Sequence, residues 1–179
     1  ISLAFRTAME GKRGPVHLTI PHDLQEQSVD SEIFERFKNS SIDDKEDWLT
    51  YPNPNQIDKS LELLSKAKKP IVIAGLGAGA TVESDELDLF LKETKIPFFG
   101  VDTGRALVGD SHECSLGIGY LPLNKAAQRI NESDLVLLLG VKLDYQLGFG
   151  GSPPFNKNAK ITVSYTHLTL PTTYGVGLG

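Results

Sequence analysis

The residues best arranged for ligand chemistry are glycines. AGLGAGA (74–80) sits between a short apolar run and an amphipathic one, and Gly75, Gly77 and Ala80 match G-x-G-x-x-G/A between a strand and a helix. Backbone at Gly75, Leu76, Gly77, Ala78 and Gly79 could turn sharply and approach a diphosphate, with amide groups and a helix N-terminus supplying positive potential. A tight strand-to-helix turn with no ligand accounts for the same residues equally well. A dinucleotide site of this form also asks for an acid about 20 residues further on. Asp102 stands 25 residues beyond Gly77 and meets that demand only loosely.

A second Gly-rich turn, GVKLDYQLGFGG (140–151), closes the most apolar run of the chain. Gly140 would end a buried strand at its carboxyl end, where ligands gather in open α/β sheets. Lys142 could then meet a phosphate and Asp144 a ribose hydroxyl, although both residue types also suit a solvated loop. His17, His22, His112 and His167 include no pair at metal-ligand spacing. Asp43, Asp44, Glu46 and Asp47 lack the glycine and alternation of a calcium loop. His112 and Cys114 lie two apart, which by spacing alone does not make a nucleophile–base pair. No G-x-S-x-G, P-loop or H-E-x-x-H occurs. Composition and spacing therefore reveal no catalytic machinery in this chain.

These turns must be carried by regular elements. Residues 1–10 place Leu3, Ala4, Ala8 and Met9 at helical spacing, with Gly11 as a C-cap. Val16, Leu18 and Ile20 alternate with His17 and Thr19, which predicts a strand over 14–21. Residues 22–53 read as irregular and end in the extended YPNPN segment. Beyond them helix and strand alternate. The pattern predicts a helix over 56–68 capped by Asn55, with Ile57, Leu61, Leu64 and Ala67 on one face. It goes on with a strand at 71–74, a helix over 83–94 with Leu87, Phe90 and Leu91 inward, and a strand at 97–101. A helix over 124–131 and strands at 135–139 and 159–163 complete it. Apolar strands separated by amphipathic helices imply a doubly wound, mostly parallel α/β sheet, a Rossmann-like domain over 54–163. Residues 1–30 read as the helix–strand remnant of another α/β domain and 31–53 as an acidic linker. Residues 164–179 have no charged residue and no helical period. The string SYTHLTLPT resembles translated adaptor read-through, so this tail reads as non-native and without a packing role.

Size and charge narrow the function classes. At 179 residues, with 40% apolar and 23% charged residues, the chain can bury a core. A net charge of −5 argues against a basic nucleic-acid surface, and seven acids against three bases between Asp30 and Asp47 supply −4 of it. One cysteine excludes a disulfide framework. No apolar run approaches the roughly 20 residues that span a bilayer. The absence of a Met start and of a signal-peptide pattern sets the expectation of a cytoplasmic fragment.

Several segments together resemble thiamine-diphosphate-dependent enzymes. GKRGPVHLTIPHDL (11–24) is similar to the G-R-P-G-P-V-x-x-x-I-P-x-D-V segment that closes their pyrimidine-binding domain. KAKKPIVIAGLGA (66–78), GDSHECSLGIGY (109–120) and SDLVLLLGVKLDYQLGFGG (133–151) resemble successive segments of their central domain. The likeness runs in order over about 1–163, nearest to acetolactate synthases, with oxalyl-CoA decarboxylase and 2-hydroxyacyl-CoA lyase close by. It implies a parent transferase or lyase acting on a 2-oxo acid or acyl-CoA, homodimeric or homotetrameric. Thiamine diphosphate and Mg2+ would bind outside this chain, so the chain would carry no catalytic residue. The resemblance further implies that the central domain either binds FAD or ADP, through Lys12, Gly75–Gly79, Gly140, Lys142 and Asp144, or keeps a vestigial pocket. Here Lys12 and Lys142 replace family arginines and Arg13 replaces a proline, which keeps charge but loses the bidentate fork. A stand-alone nucleotide-binding module is the alternative from a different class. An NAD-dependent deacylase-like or deoxyhypusine-synthase-like domain would share the sheet, but its His and Asn motifs are not found.

Overall fold

The computed structural model describes residues 2–9, 14–38, 53–81, 84–165 and 168–174. The chain divides into two compact units, Ile1–Thr50 and Tyr51–Gly179. The first holds helices α1 (Ser2–Met9), α2 (His22–Gln25) and α3 (Ser31–Lys38). Residues 14–21, expected as a strand, are irregular and exposed. Their alternation suits a sheet, but a strand exists only by pairing, and among the described residues nothing pairs with it. Conversely, α2 and α3 form in a stretch expected to be irregular. Asp30 starts α3, its Oδ1 accepting from Glu32 N at 2.9 Å and its carbonyl from Phe34 N at 3.0 Å. The helical spacing of Ile33, Phe34 and Phe37 is masked by the acidic composition around it. The acids at 43–47 and the Gly11 cap lie outside the described residues.

The second unit is the doubly wound sheet. Its elements are α4 (Pro54–Lys66), β1 (Pro70–Ala74), α5 (Leu76–Thr81), α6 (Ser84–Thr94), β2 (Phe98–Gly100), β3 (Ser115–Ile118), α7 (Arg129–Glu132), β4 (Leu135–Leu139), β5 (Lys160–Tyr165) and β6 (Leu168–Tyr174). The strand order is β3-β2-β1-β4-β5-β6. The first five strands are parallel, and β6 joins β5 antiparallel. The stretch expected to have no packing role thus supplies an edge strand. Alternation sorts the core into two faces. Ile71, Ile73, Phe99, Val136, Leu138 and Ile161 pack with Ile130 and Phe155 on one side. Val72, Ala74 and Phe98 pack with Leu87 and Leu91 of α6 on the other.

Local differences from the sequence reading have identifiable causes. Helix α4 is capped by Asn53, which accepts from Asn55 N at 3.0 Å, with Pro54 in the first turn. Its half-buried stripe runs through Gln56, Ser60, Leu63, Leu64 and Ala67, so Ile57 and Leu61 face solvent. The expected single helix over 124–131 is a 3-10 turn at Lys125–Gln128 followed by α7. Strand β3 was not expected at all: its four residues are half-buried without alternation, and Gly117 at φ +83° bulges it.

The amino ends of the strands are tied by Asp134. Its two carboxylate oxygens accept from Lys68 N at 2.7 Å and Lys69 N at 2.9 Å, and its carbonyl accepts from Lys160 N at 2.9 Å. One residue therefore holds the entries to β1, β4 and β5 in register. The carboxyl ends carry the candidate site.

Candidate functional site

Strand order reverses between β1 and β4, so the crevice at their carboxyl ends is the topological switch point. Parallel pairing from Pro70↔Leu135 to Ala74↔Leu139 brings both Gly-rich turns there. The structure thus brings Gly75–Gly79 against Gly140. Gly75–Gly79 is not an open loop, however, because α5 begins at Leu76. Lys12 lies outside the described residues.

The two turns are packed on each other. Gly75 N donates to Leu139 O at 3.0 Å, Gly77 N to Gly140 O at 3.0 Å, and Ala78 N to Gly75 O at 3.1 Å. Gly140 is at φ +58°, and a Cβ there would lie 1.9 Å from Ala78 N and 2.4 Å from Gly77 C. A Cβ on Gly77 would lie 2.9 Å from Gly140 Cα. From the β2 side, a Cβ on Gly104 would come within 2.2 Å of Ala74 O. These glycines are required by backbone meeting backbone. The diphosphate that the family resemblance implies does not fit at this turn, since the cradle is filled by the chain itself.

The polar residues form a rim rather than a cluster. The Lys142 side chain is exposed. Asp144 is half-buried and caps the 3-10 segment Tyr145–Gly150, its Oδ1 accepting from Gln146 N at 2.9 Å. Gln146 Nε2 in turn donates to Asp102 Oδ1 at 3.1 Å, a bond that spans from the turn after β2 to the loop after β4. Asp102 itself is at φ +50°. Leu76, Tyr145 and Phe149 are exposed.

His112 and Cys114 are structural in this arrangement. His112 Nδ1 accepts from Cys114 N at 3.1 Å, and the thiol lies 3.4 Å from Leu91 O. Burial, followed by the negative charge of Glu113, pushes the Cys114 thiol above its ordinary range, which is the reverse of an activated nucleophile. His112 Nε2 lies 3.4 Å from Asp88 Oδ1, off hydrogen-bonding geometry. Among the described residues no group of three or more His, Cys, Asp or Glu could hold a metal ion. No helix among them is long and apolar enough to cross a membrane.

Two residues escaped sequence reasoning. Asp134 is one, because its partners are 65 and 66 residues away. Asn124 is the other. Its Nδ2 donates to Leu116 O at 2.7 Å and Ile118 O at 2.9 Å, while its Oδ1 accepts from Ala126 N at 3.0 Å. It occupies the carbonyls of β3 at the free edge of the sheet and caps the next turn. An Asn before an apolar segment signals the cap but not the strand edge.

The family model for the thiamine pyrophosphate enzyme central domain matches residues 57–178, which hold the whole sheet and both turns. The chain belongs to the thiamine pyrophosphate enzymes. A 2-hydroxyacyl-CoA lyase 1 of Dictyostelium discoideum is 31% identical over 162 residues, covering 89% of this chain and 26% of that protein. A probable acetolactate synthase large subunit of Methanococcus aeolicus is 29% identical over 164 residues, covering 88% and 26%. Oxalyl-CoA decarboxylase of Escherichia coli is 25% identical over 157 residues, covering 84% and 25%. The chain spans about a quarter of the length of the curated relatives it matches. Each stretch is longer than residues 51–179, so the likeness reaches into the N-terminal unit.

Proposed function

We propose that this chain is the central domain, with the end of the preceding pyrimidine-binding domain, of a thiamine-diphosphate-dependent enzyme that makes or breaks a carbon–carbon bond beside a carbonyl. The family match over a five-stranded parallel sheet carries the reading. Thiamine diphosphate supplies an electron sink at the reacting carbon when bound. The resemblance puts that cofactor, and Mg2+ for its diphosphate, on segments outside this chain. The part of this domain is to hold those segments in place. The substrate class is a 2-oxo acid or an acyl-CoA, in keeping with relatives that are a 2-hydroxyacyl-CoA lyase, an acetolactate synthase and an oxalyl-CoA decarboxylase. The parent works as a homodimer or homotetramer in the cytoplasm, and this segment alone turns over no substrate. Reading the gene on both sides tests the assignment. The expected result is a cofactor-activating Glu upstream and a G-D-G…N motif downstream; a frame with neither refutes it.

A further inference from the structure

We infer that the Gly-rich turn of this domain is closed by the chain itself and excludes the diphosphate of FAD or ADP. The inference rests on the central-domain reading above, because that reading is what calls for a nucleotide here.

A diphosphate seat needs several free N–H groups aimed at one point, room above them, and a helix end to add potential. At Gly75, Gly77 and Ala78 the first two are lacking, and the third is slight. The donors at Gly75, Gly77 and Ala78 already meet carbonyls of Leu139, Gly140 and Gly75. The room is taken by Gly140, whose backbone lies so close to Gly77 and Ala78 that it cannot bear even a methyl group. The third wall is closed as well: Gly104 lies against Ala74 and Gly75, where an added Cβ would be 2.8 Å from Gly75 Cα, and Val101 N donates to Ala74 O at 2.8 Å. Helix α5, at six residues, adds little dipole.

Admitting a diphosphate would require breaking the Gly77–Gly140 hydrogen bond and parting both turns. The G-x-G pattern is therefore retained for packing. Gly140 O takes the place that an anion would occupy, and the cations do not compensate. Lys142 is exposed, and the nearest acid of that loop, Asp144, is spent on capping.

Hydrogen exchange read by mass spectrometry on residues 74–80 tests this, in the full chain and in the parent enzyme, with and without 1 mM ADP or FAD. The expected result is slow exchange at Gly75, Gly77 and Ala78 without nucleotide and no change on adding it. Nucleotide that binds while changing exchange only around Lys142 and Tyr145 also agrees, because the turn remains closed. Fast exchange without nucleotide, slowed tenfold or more by ADP or FAD, overturns the inference. That outcome leaves the family assignment intact. A parent indifferent to thiamine diphosphate would instead overturn the assignment and leave the closed turn standing.

Discussion

Replacing Asp134 by alanine removes two backbone hydrogen bonds at once, those from Lys68 N and Lys69 N. Hydrogen bonds to a charged acceptor contribute about 1.5–3 kcal/mol each. The freed amides belong to exposed residues and can bind water, so each bond falls below that range, to the roughly 1 kcal/mol of an ordinary hydrogen bond. The pair is then worth about 2 kcal/mol in total, or roughly 5–10 °C in Tm for a unit of this size. Asp134→Asn keeps an acceptor and should lose about half as much. The effect should also be pH-dependent. Burial pushes the Asp134 carboxyl up, but the Lys68 and Lys69 amides together with the Lys68 charge outweigh it and hold it below its usual 3.8. A carboxylate with a depressed folded pKa contributes stability that is present above the unfolded value and lost as pH falls through the folded one. The deficit of Asp134→Ala should therefore be constant from about pH 5 to pH 8 and shrink below about pH 4. Urea denaturation followed by circular dichroism at pH 7 and at pH 3 measures it. A variant within 0.5 kcal/mol of the parent chain at pH 7, or a deficit as large at pH 3 as at pH 7, would refute the reasoning.

Other substitutions test the remaining contacts. Gly140→Ala puts a Cβ 1.9 Å from Ala78 N at φ +58° and should cost about 3 kcal/mol or more; a urea midpoint close to that of the parent chain would contradict the turn-on-turn packing. Asn124→Ala frees the carbonyls of Leu116 and Ile118 on β3. It should lower stability by about 2 kcal/mol and produce concentration-dependent self-association in sedimentation, whereas a stable monomer would show that the edge needs no guard. Cys114, buried and with its thiol pushed up by that burial, should react with a disulfide reagent at pH 8 at least tenfold more slowly than in urea. Immediate stoichiometric labelling of the folded chain would count against its structural role.

How much of this was legible in the sequence depends on how local each cause is. Strands β1 and β4 announce themselves as unbroken apolar runs because both faces are covered, and the inward residues of α6 follow the helical period. The alternation at 14–21 is just as clear, yet no strand among the described residues pairs with it, and a local pattern cannot supply one. Strand β3 is silent because it is short, half-buried and bent at Gly117. The G-x-G signature at Gly75 and Gly77 was visible, but its cause was not. The contact that demands glycine comes from Gly140, a strand away in space and more than sixty residues away in sequence. Asp144 holds a cap in its own loop, while Asp134, in the same segment, supports the opposite end of the sheet.

The central claim is that this sheet serves a thiamine-diphosphate-dependent reaction whose cofactor sits outside these residues. Turnover of the parent enzyme on a 2-oxo acid or acyl-CoA substrate, before and after stripping thiamine diphosphate and Mg2+ by gel filtration with a chelator, tests it most directly. The expected result is activity lost on stripping and restored by adding both back, with no saturable thiamine diphosphate binding by the 179-residue chain alone. Activity unaffected by stripping, or tight cofactor binding by this chain in isolation, would contradict it.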